Sequence, residues 1–160
     1  MKKKFTHIDP SGNPKMVDVS EKKITKRVAK ARAIVRLGKG IIAQIKGNEL
    51  VTKKGPVFQT AIIAGIMGAK KTAEFIPFCH PLKLEDCRVN ISVKKEKVMI
   101  NTEARTTGKT GVEMEALAAA TVAALTVYDM CKALSHKIVI ESIQLMEKTG
   151  GKKDFKSKGV

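Results

Sequence analysis

The order of elements in this chain predicts an α+β protein on the ferredoxin-like βαββαβ plan, an antiparallel sheet with helices packed on one face. Three observations carry that expectation. Residues 27–37 alternate apolar and polar with a period of two. Two further alternating runs, Leu84 to Val93 and Val98 to Ala104, flank the polar tetrad Lys94-Lys95-Glu96-Lys97 and read as a hairpin. A stretch without Gly or Pro from Val112 to Leu134, dominated by Ala and Leu, reads as a long buried helix.

Taken in order, residues 1–20 are polar and are broken by Pro10, Gly12 and Pro14. They and the Lys-rich tail 150–160 are expected to be the mobile ends of a single domain spanning 1–160. In the first strand Ala29, Ala31, Ala33, Val35 and Leu37 share one side, with Lys30, Arg32 and Arg36 on the other. Gly38 and Gly40 then open a short helix containing Ile41, Ile42 and Ile45, which Gly47 and Asn48 end. The cationic turn Lys53-Lys54-Gly55-Pro56 precedes a second helix, Val57 to about Phe75, expected to turn Ile62, Ile63, Ile66 and Met67 to the core. Gly65 and Gly68 inside it cost about 1 kcal/mol each against Ala unless a neighbour needs close approach. Pro77 stops this helix, and Phe78-Cys79-His80-Pro81 forms a loop that holds a histidine between two prolines. After the hairpin, a Gly-rich cationic turn from Thr106 to Gly111 enters the long helix, on which Leu117, Ala120, Ala124, Tyr128 and Cys131 form one stripe. Lys137 to Glu147 is the last strand.

With 160 residues the chain is long enough for one real core, and 43% hydrophobic content excludes wholesale disorder. The net charge of +16 points to anionic partners: nucleic acid, a phosphorylated small molecule or an acidic surface. Nucleic acid is disfavoured, because there is no Trp and one Tyr, and the strands that carry stacking aromatics in an RNA-recognition fold have none here. A Walker phosphate loop is disfavoured, since Glu103 occupies the position of its first Gly. Three cysteines without CxxC spacing indicate neither a disulfide framework nor a zinc site, and fit a reducing, cytoplasmic setting. The start, MKKKFTHIDP, lacks the apolar segment of a secretory signal. Ala116 to Val127 is shorter than the roughly 20 apolar residues of a membrane span.

On the long helix, Asp129 and Lys132 are three residues apart and can pair. Spacing leaves two readings open: a surface ion pair, or an acid/base pair whose lysine has a lowered pKa among neighbouring cations. Glu115 lies within roughly 40° of Asp129 around the helix, yet about 21 Å away along its axis. If both serve one site, they come from different subunits. Arg27, Lys54, Lys109, Lys132 and Lys148 stand at element ends with His80 and Asp129, a set able to clamp a polyphosphate if the fold brings it together. No cluster of metal ligands is evident.

Several strings then carry a resemblance: Met16-Val17-Asp18-Val19-Ser20, Lys54-Gly55-Pro56-Val57-Phe58, Ile76 to Leu82, Thr107 to Leu117, Tyr128 to Ala133 and Lys148-Thr149-Gly150-Gly151-Lys152. In order and over essentially the whole chain, they closely resemble the cyclic pyranopterin monophosphate synthases, the MoaC-type family of molybdenum cofactor biosynthesis. The resemblance implies a ferredoxin-like subunit in a homohexamer, a trimer of dimers, with sites between subunits. It also implies conversion of (8S)-3′,8-cyclo-7,8-dihydroguanosine 5′-triphosphate to cyclic pyranopterin monophosphate with release of pyrophosphate. On these motifs Asp129, Lys132 and Lys54 match catalytic positions, and Phe78, Cys79, His80, Met114, Glu115, Asp18, Arg27, Glu113 and Lys148 match substrate-binding ones. Arg27 and Lys148 suit the triphosphate. The family loop more often carries Leu where Phe78 stands. No redox cofactor is implied, and magnesium could accompany the triphosphate. The expected partner is therefore a small purine-derived nucleotide, not nucleic acid or a membrane.

Overall fold

The computed structural model describes residues 8–157, so that Lys2 to Lys4 and Lys158 lie outside the described residues. Along the chain come strand β1 (Thr25–Arg36), helix α1 (Lys39–Ile42), short strands β2 (Val51–Thr52) and β3 (Gly55–Pro56), and helices α2 (Val57–Lys70) and α3 (Thr72–Phe75). Then follow strands β4 (Asp86–Lys94) and β5 (Lys97–Gly108), helix α4 (Glu113–Cys131), and strands β6 (Val139–Thr149) and β7 (Phe155–Lys156). The main sheet runs β4-β5-β1-β6-β7, antiparallel throughout, with β2 and β3 paired apart from it. Setting the two-residue strands aside, this is the expected βαββαβ plan with its first long strand at the centre.

The period-two reading of β1 holds. Ala29, Ala31, Ala33 and Val35 are buried beneath α4, while Lys30, Arg32 and Arg36 face the other way. Helix α4 answers with its own small residues, Ala116, Ala119, Ala120, Ala123 and Ala124, all fully buried. Small side chains on both surfaces let helix and sheet approach closely. Buried Thr102 of β5 reaches α4 directly, its hydroxyl donating to the Ala116 carbonyl at 2.8 Å. By length and composition α4 would qualify for a membrane span, but most of its surface is taken up by β1, β5, β6 and α2. Tyr128, expected in the packed stripe, is instead 36% exposed.

Three other expectations change. The helix expected to reach Phe75 breaks at Lys71, whose ψ of 9° is not helical. There the buried Thr72 hydroxyl donates to the Ala69 carbonyl, offering that carbonyl a partner other than the next helical turn. Ile63 and Met67 do not face the core; they are 61% and 53% exposed, while Val57, Phe58, Ala61, Gly65, Gly68 and Ala69 face inward. The apolar period marks large side chains, but this interface selects small ones. And the first half of the Thr106–Gly111 turn is strand: β5 stays paired with β1 as far as Thr25↔Gly108, which leaves the four residues 109–112 to turn into α4. The tail carries β7, whose Lys156 and Phe155 pair with Glu147 and Lys148.

The glycines of α2 explain their helical cost. A Cβ on Gly65 would stand 2.9 Å from the Ala119 carbonyl oxygen and 3.2 Å from both Ala123 Cβ and Val89 Cγ2. Helix backbone cannot yield as a flexible side chain can, so Gly65→Ala is expected to destabilise by about 1–3 kcal/mol. Gly40→Ala, whose Cβ would meet nothing within 4 Å, is expected not to destabilise. Urea denaturation of the two variants, compared by midpoint at equal slope, checks this.

Candidate active site

Four chain segments line a cavity of about 500 Å³ at the N-terminal end of α4. Val17, Val19 and Lys22 come from the segment before β1; Phe78, Cys79, His80 and Leu82 come from the proline-bounded loop. Thr110, Gly111, Glu113, Met114 and Glu115 come from the β5–α4 turn and the first turn of the helix, and Lys152 comes from the tail. The segment before β1 is tied down from two sides. His80 Nε2 lies 2.8 Å from the Val17 carbonyl oxygen, which can only accept, so Nε2 carries the proton. Lys109 donates to the Ser20 carbonyl at 2.6 Å. Between them Asp18 Oδ1 accepts from the Ser20 amide at 2.8 Å and its hydroxyl at 2.6 Å, and these bonds lower the carboxyl pKa. Here the sequence's histidine has a structural bond and still lines a cavity.

The floor is acidic. Glu115 is 4% exposed, and burial, with a smaller contribution from the Glu113 charge, pushes its pKa up. Its place in the first helical turn favours a negative charge, but not enough to cancel desolvation. Beside it Glu113 folds its carboxylate over Gly111, where a Cβ would collide with it, and accepts from Lys148 Nζ at 2.9 Å. Lys148 is thereby half-neutralised rather than free for an anion. Burial and Glu115 together raise the Cys79 thiol, which keeps it protonated near neutrality and unsuited to nucleophilic attack. Arg27 lies behind the β5–α4 turn, with Nη2 3.4 Å from the Lys109 carbonyl oxygen and a buried Nε that has no partner.

A second cluster stands at the other end of α4. Asp129 Oδ1 accepts from Lys132 at 2.7 Å, and Oδ2 accepts from Lys54 at 2.6 Å. Lys54 also reaches the Asp129 carbonyl at 3.2 Å, from the tip of the β2–β3 hairpin. The bonds from Lys132 and then Lys54 hold the Asp129 carboxyl at about 2. Of the two readings left open, the lowered lysine does not hold: the hydrogen bond and charge of Asp129 raise Lys132, outweighing the small opposing effect of desolvation. All three side chains remain about half exposed. The result is a solvent-accessible cluster of net charge +1, suited to stabilising negative charge.

The structure thus brings Phe78, Cys79, His80, Glu113, Met114 and Glu115 to one cavity, with Asp18, Arg27 and Lys148 bonded around it. Lys54, Asp129 and Lys132 assemble elsewhere, about 21 Å along α4 by its rise per residue. Although the two lie within roughly 40° of each other around α4, Glu115 is buried and Asp129 exposed, so along its length the same side of the helix passes from the core to solvent. Sequence reasoning passed over Val17, Val19, Lys22, Leu82, Thr110, Gly111 and Lys152 as lining residues. All of them except Lys22 lie within the quoted strings, which were the only signal for them.

The MoaC family model matches residues 16–151. A cyclic pyranopterin monophosphate synthase of Xanthomonas axonopodis pv. citri is 50% identical over 95% of this chain and 93% of its own length. A molybdenum cofactor biosynthesis bifunctional protein of Synechocystis sp. is also 50% identical, over 94% of this chain, which spans 45% of that longer protein. Molybdenum cofactor biosynthesis protein 1 of Drosophila melanogaster is 50% identical over 94% of this chain and 27% of its own length.

Because the folded Asp129 carboxyl titrates below its ordinary 3.8, its contribution to stability is present above that value and is lost as pH falls towards about 2. Carbon-detected NMR of the Asp129 carboxyl is expected to show a midpoint near 2, and one near 3.8 in the Lys54→Met/Lys132→Met double variant. A midpoint that does not move in the double variant would contradict the two bonds as its cause.

Proposed function

The chain belongs to the MoaC family, and from that premise we propose that it is a cyclic pyranopterin monophosphate synthase, a lyase of molybdenum cofactor biosynthesis. The observation that carries the reading is 50% identity to such a synthase across 95% of this chain and 93% of the relative. The substrate in this reading is the cyclised dihydroguanosine triphosphate. Its purine-derived ring opens and closes again as a pterin, and a ribose hydroxyl attacks the α-phosphorus. The new P–O bond closes the cyclic phosphate, the bond to the β-phosphate oxygen breaks, and pyrophosphate leaves with that electron pair. No step changes the oxidation level, so proton movement and charge stabilisation are what the protein must supply.

The two clusters suit different parts of this work. The cavity offers an acid floor, Glu115, whose raised pKa brings it closer to the working pH for proton exchange. It also offers apolar walls for a planar ring at Phe78, Leu82 and Met114. The Lys54–Asp129–Lys132 cluster offers two cations for the phosphate that becomes more negative in the transition state, with Asp129 fixing their geometry. Magnesium, if used, would arrive with the triphosphate. For both clusters to act on one molecule, α4 of a second subunit must run antiparallel beside the first. Support for such packing comes from apolar side chains left exposed on the two long helices: Ile63, Met67, Leu125 and Tyr128. A trimer of such dimers, acting in the cytoplasm, is the assembly we propose.

Supplied with the cyclised nucleotide, the purified protein is expected to form pyrophosphate and the pterin in equal amounts, and Lys54→Ala and Asp129→Ala are expected to lose turnover by a factor of about 10² or more. Near-normal rates in both variants would overturn the assignment of that cluster. Mixing tests the shared site. Glu115→Ala and Asp129→Ala subunits, each inactive alone, are expected to recover about a quarter of wild-type activity on refolding together, because half the dimers then hold one intact site out of two. Failure to recover any activity in mixed assemblies would place all the chemistry within one subunit.

A further inference from the structure

The lysines at the cavity end of α4 fall into two groups. Lys148 is bonded to Glu113 and Lys109 to the Ser20 carbonyl. Lys22 and Lys152 line the cavity itself, come from opposite ends of the chain, and have no carboxylate partner among the described residues. Two unpaired ammonium groups on one cavity form a place for an anion. One of them is held by an unusual turn. Gly150 has φ 82°, and a Cβ there would strike the Lys26 carbonyl oxygen, so the chain lies directly on the start of β1. The Gly150 carbonyl accepts from Thr25 Oγ1 at 2.8 Å, and its N–H donates to Asp154 Oδ1 at 3.1 Å. A Cβ on Gly151 would sit 3.2 Å from an Arg27 guanidinium nitrogen. Just beyond the turn, β7 pairs Phe155 with Lys148, which fixes the far side of the loop. The turn that carries Lys152 is therefore closed at both ends, and Asp154 is its internal clasp.

We propose that Lys152, together with Lys22, binds the outer phosphates of a polyphosphate ligand, and that Asp154 is a positioning residue that holds Lys152 at the cavity by bonding to Gly150. This rests on reading the cavity as the site of a nucleoside triphosphate, and it assigns the leaving pyrophosphate portion to the tail. It gives the tail a function that its composition alone would assign to solubility. Arg27, lying beneath Gly151, adds a second cation behind the turn.

The test uses the full chain and inorganic tripolyphosphate, which carries neither base nor sugar, so that its binding is scored apart from turnover. By calorimetry, wild-type protein binds it and Lys152→Ala binds about tenfold or more weakly, the loss expected for one charge-assisted contact. Lys94→Ala, which removes the same charge from the β4–β5 hairpin, binds as wild type. Asp154→Ala weakens binding by about threefold, and Asp154→Asn restores it, because the amide oxygen still accepts from Gly150. With the cyclised nucleotide, Lys152→Ala raises KM more than it lowers kcat. Wild-type affinity in Lys152→Ala, equal losses in Lys152→Ala and Lys94→Ala, or the absence of binding by the wild type would each overturn the proposal. A wild type that binds tripolyphosphate through Lys152 but does not turn over the nucleotide would leave this subsite standing and overturn the proposed reaction.

Discussion

The contact between the alanine face of α4 and the alanine face of β1 sets the geometry on which everything else depends. With Ala29, Ala31 and Ala33 below and Ala116, Ala120, Ala123 and Ala124 above, neither surface carries a side chain long enough to hold the other away. The Thr102 hydroxyl, spanning from β5 to the Ala116 carbonyl, is possible only at that close range. The same requirement recurs where α2 crosses α4, and there even a methyl group is too large at Gly65. Layers this tight lose little volume to voids, and they fix the position of α4 along and across the sheet.

A helix so fixed acts as a ruler. Its N-terminal turn supplies Glu113, Met114 and Glu115 to the cavity, and its C-terminal turn supplies Asp129, with Lys132 just after it. From Glu115 to Asp129 the helix makes about four turns, roughly 21 Å, too far for one small molecule to touch both. The separation is therefore as informative as the clusters. One end presents a buried acid that burial inclines towards its neutral form; the other presents a carboxylate held ionised by two cations. Two titratable groups pushed in opposite directions are what a reaction with several proton transfers requires.

The surplus positive charge has a comparable logic. Carboxylates and carbonyls consume part of it: at the cavity Glu113 takes Lys148 and the Ser20 carbonyl takes Lys109, and at the other end of α4 Asp129 takes Lys54 and Lys132. These pairs orient side chains rather than add much stability, since half-exposed ion pairs contribute little. On the opposite face of the sheet, Lys30 bonds to Glu147 and Arg36 to Glu141. Lys22 and Lys152, which line the cavity, have no carboxylate partner among the described residues.

Much of this was legible before any coordinates. Alternation fixed the faces of β1 and the β4–β5 hairpin, freedom from Gly and Pro marked α4, and the element order named the sheet, because these depend on neighbours within a few residues. The motif strings carried the candidate residues and the family. What the sequence left open depends on distance in space. Ile63 and Met67 read as core because large apolar residues usually are, but only the approach of α4 shows that Gly65 and Gly68 face inward. The two-residue strand β7 is too short to have a period. Lys132 could not be given a sign until Asp129 was seen 2.7 Å away, and the cavity draws on four segments whose convergence no spacing records. By itself, then, the sequence determined the local periods, the layer plan and the chemistry on offer; tertiary structure alone decided which of those groups meet, because electrostatic and packing forces act across short distances through space and not along the chain.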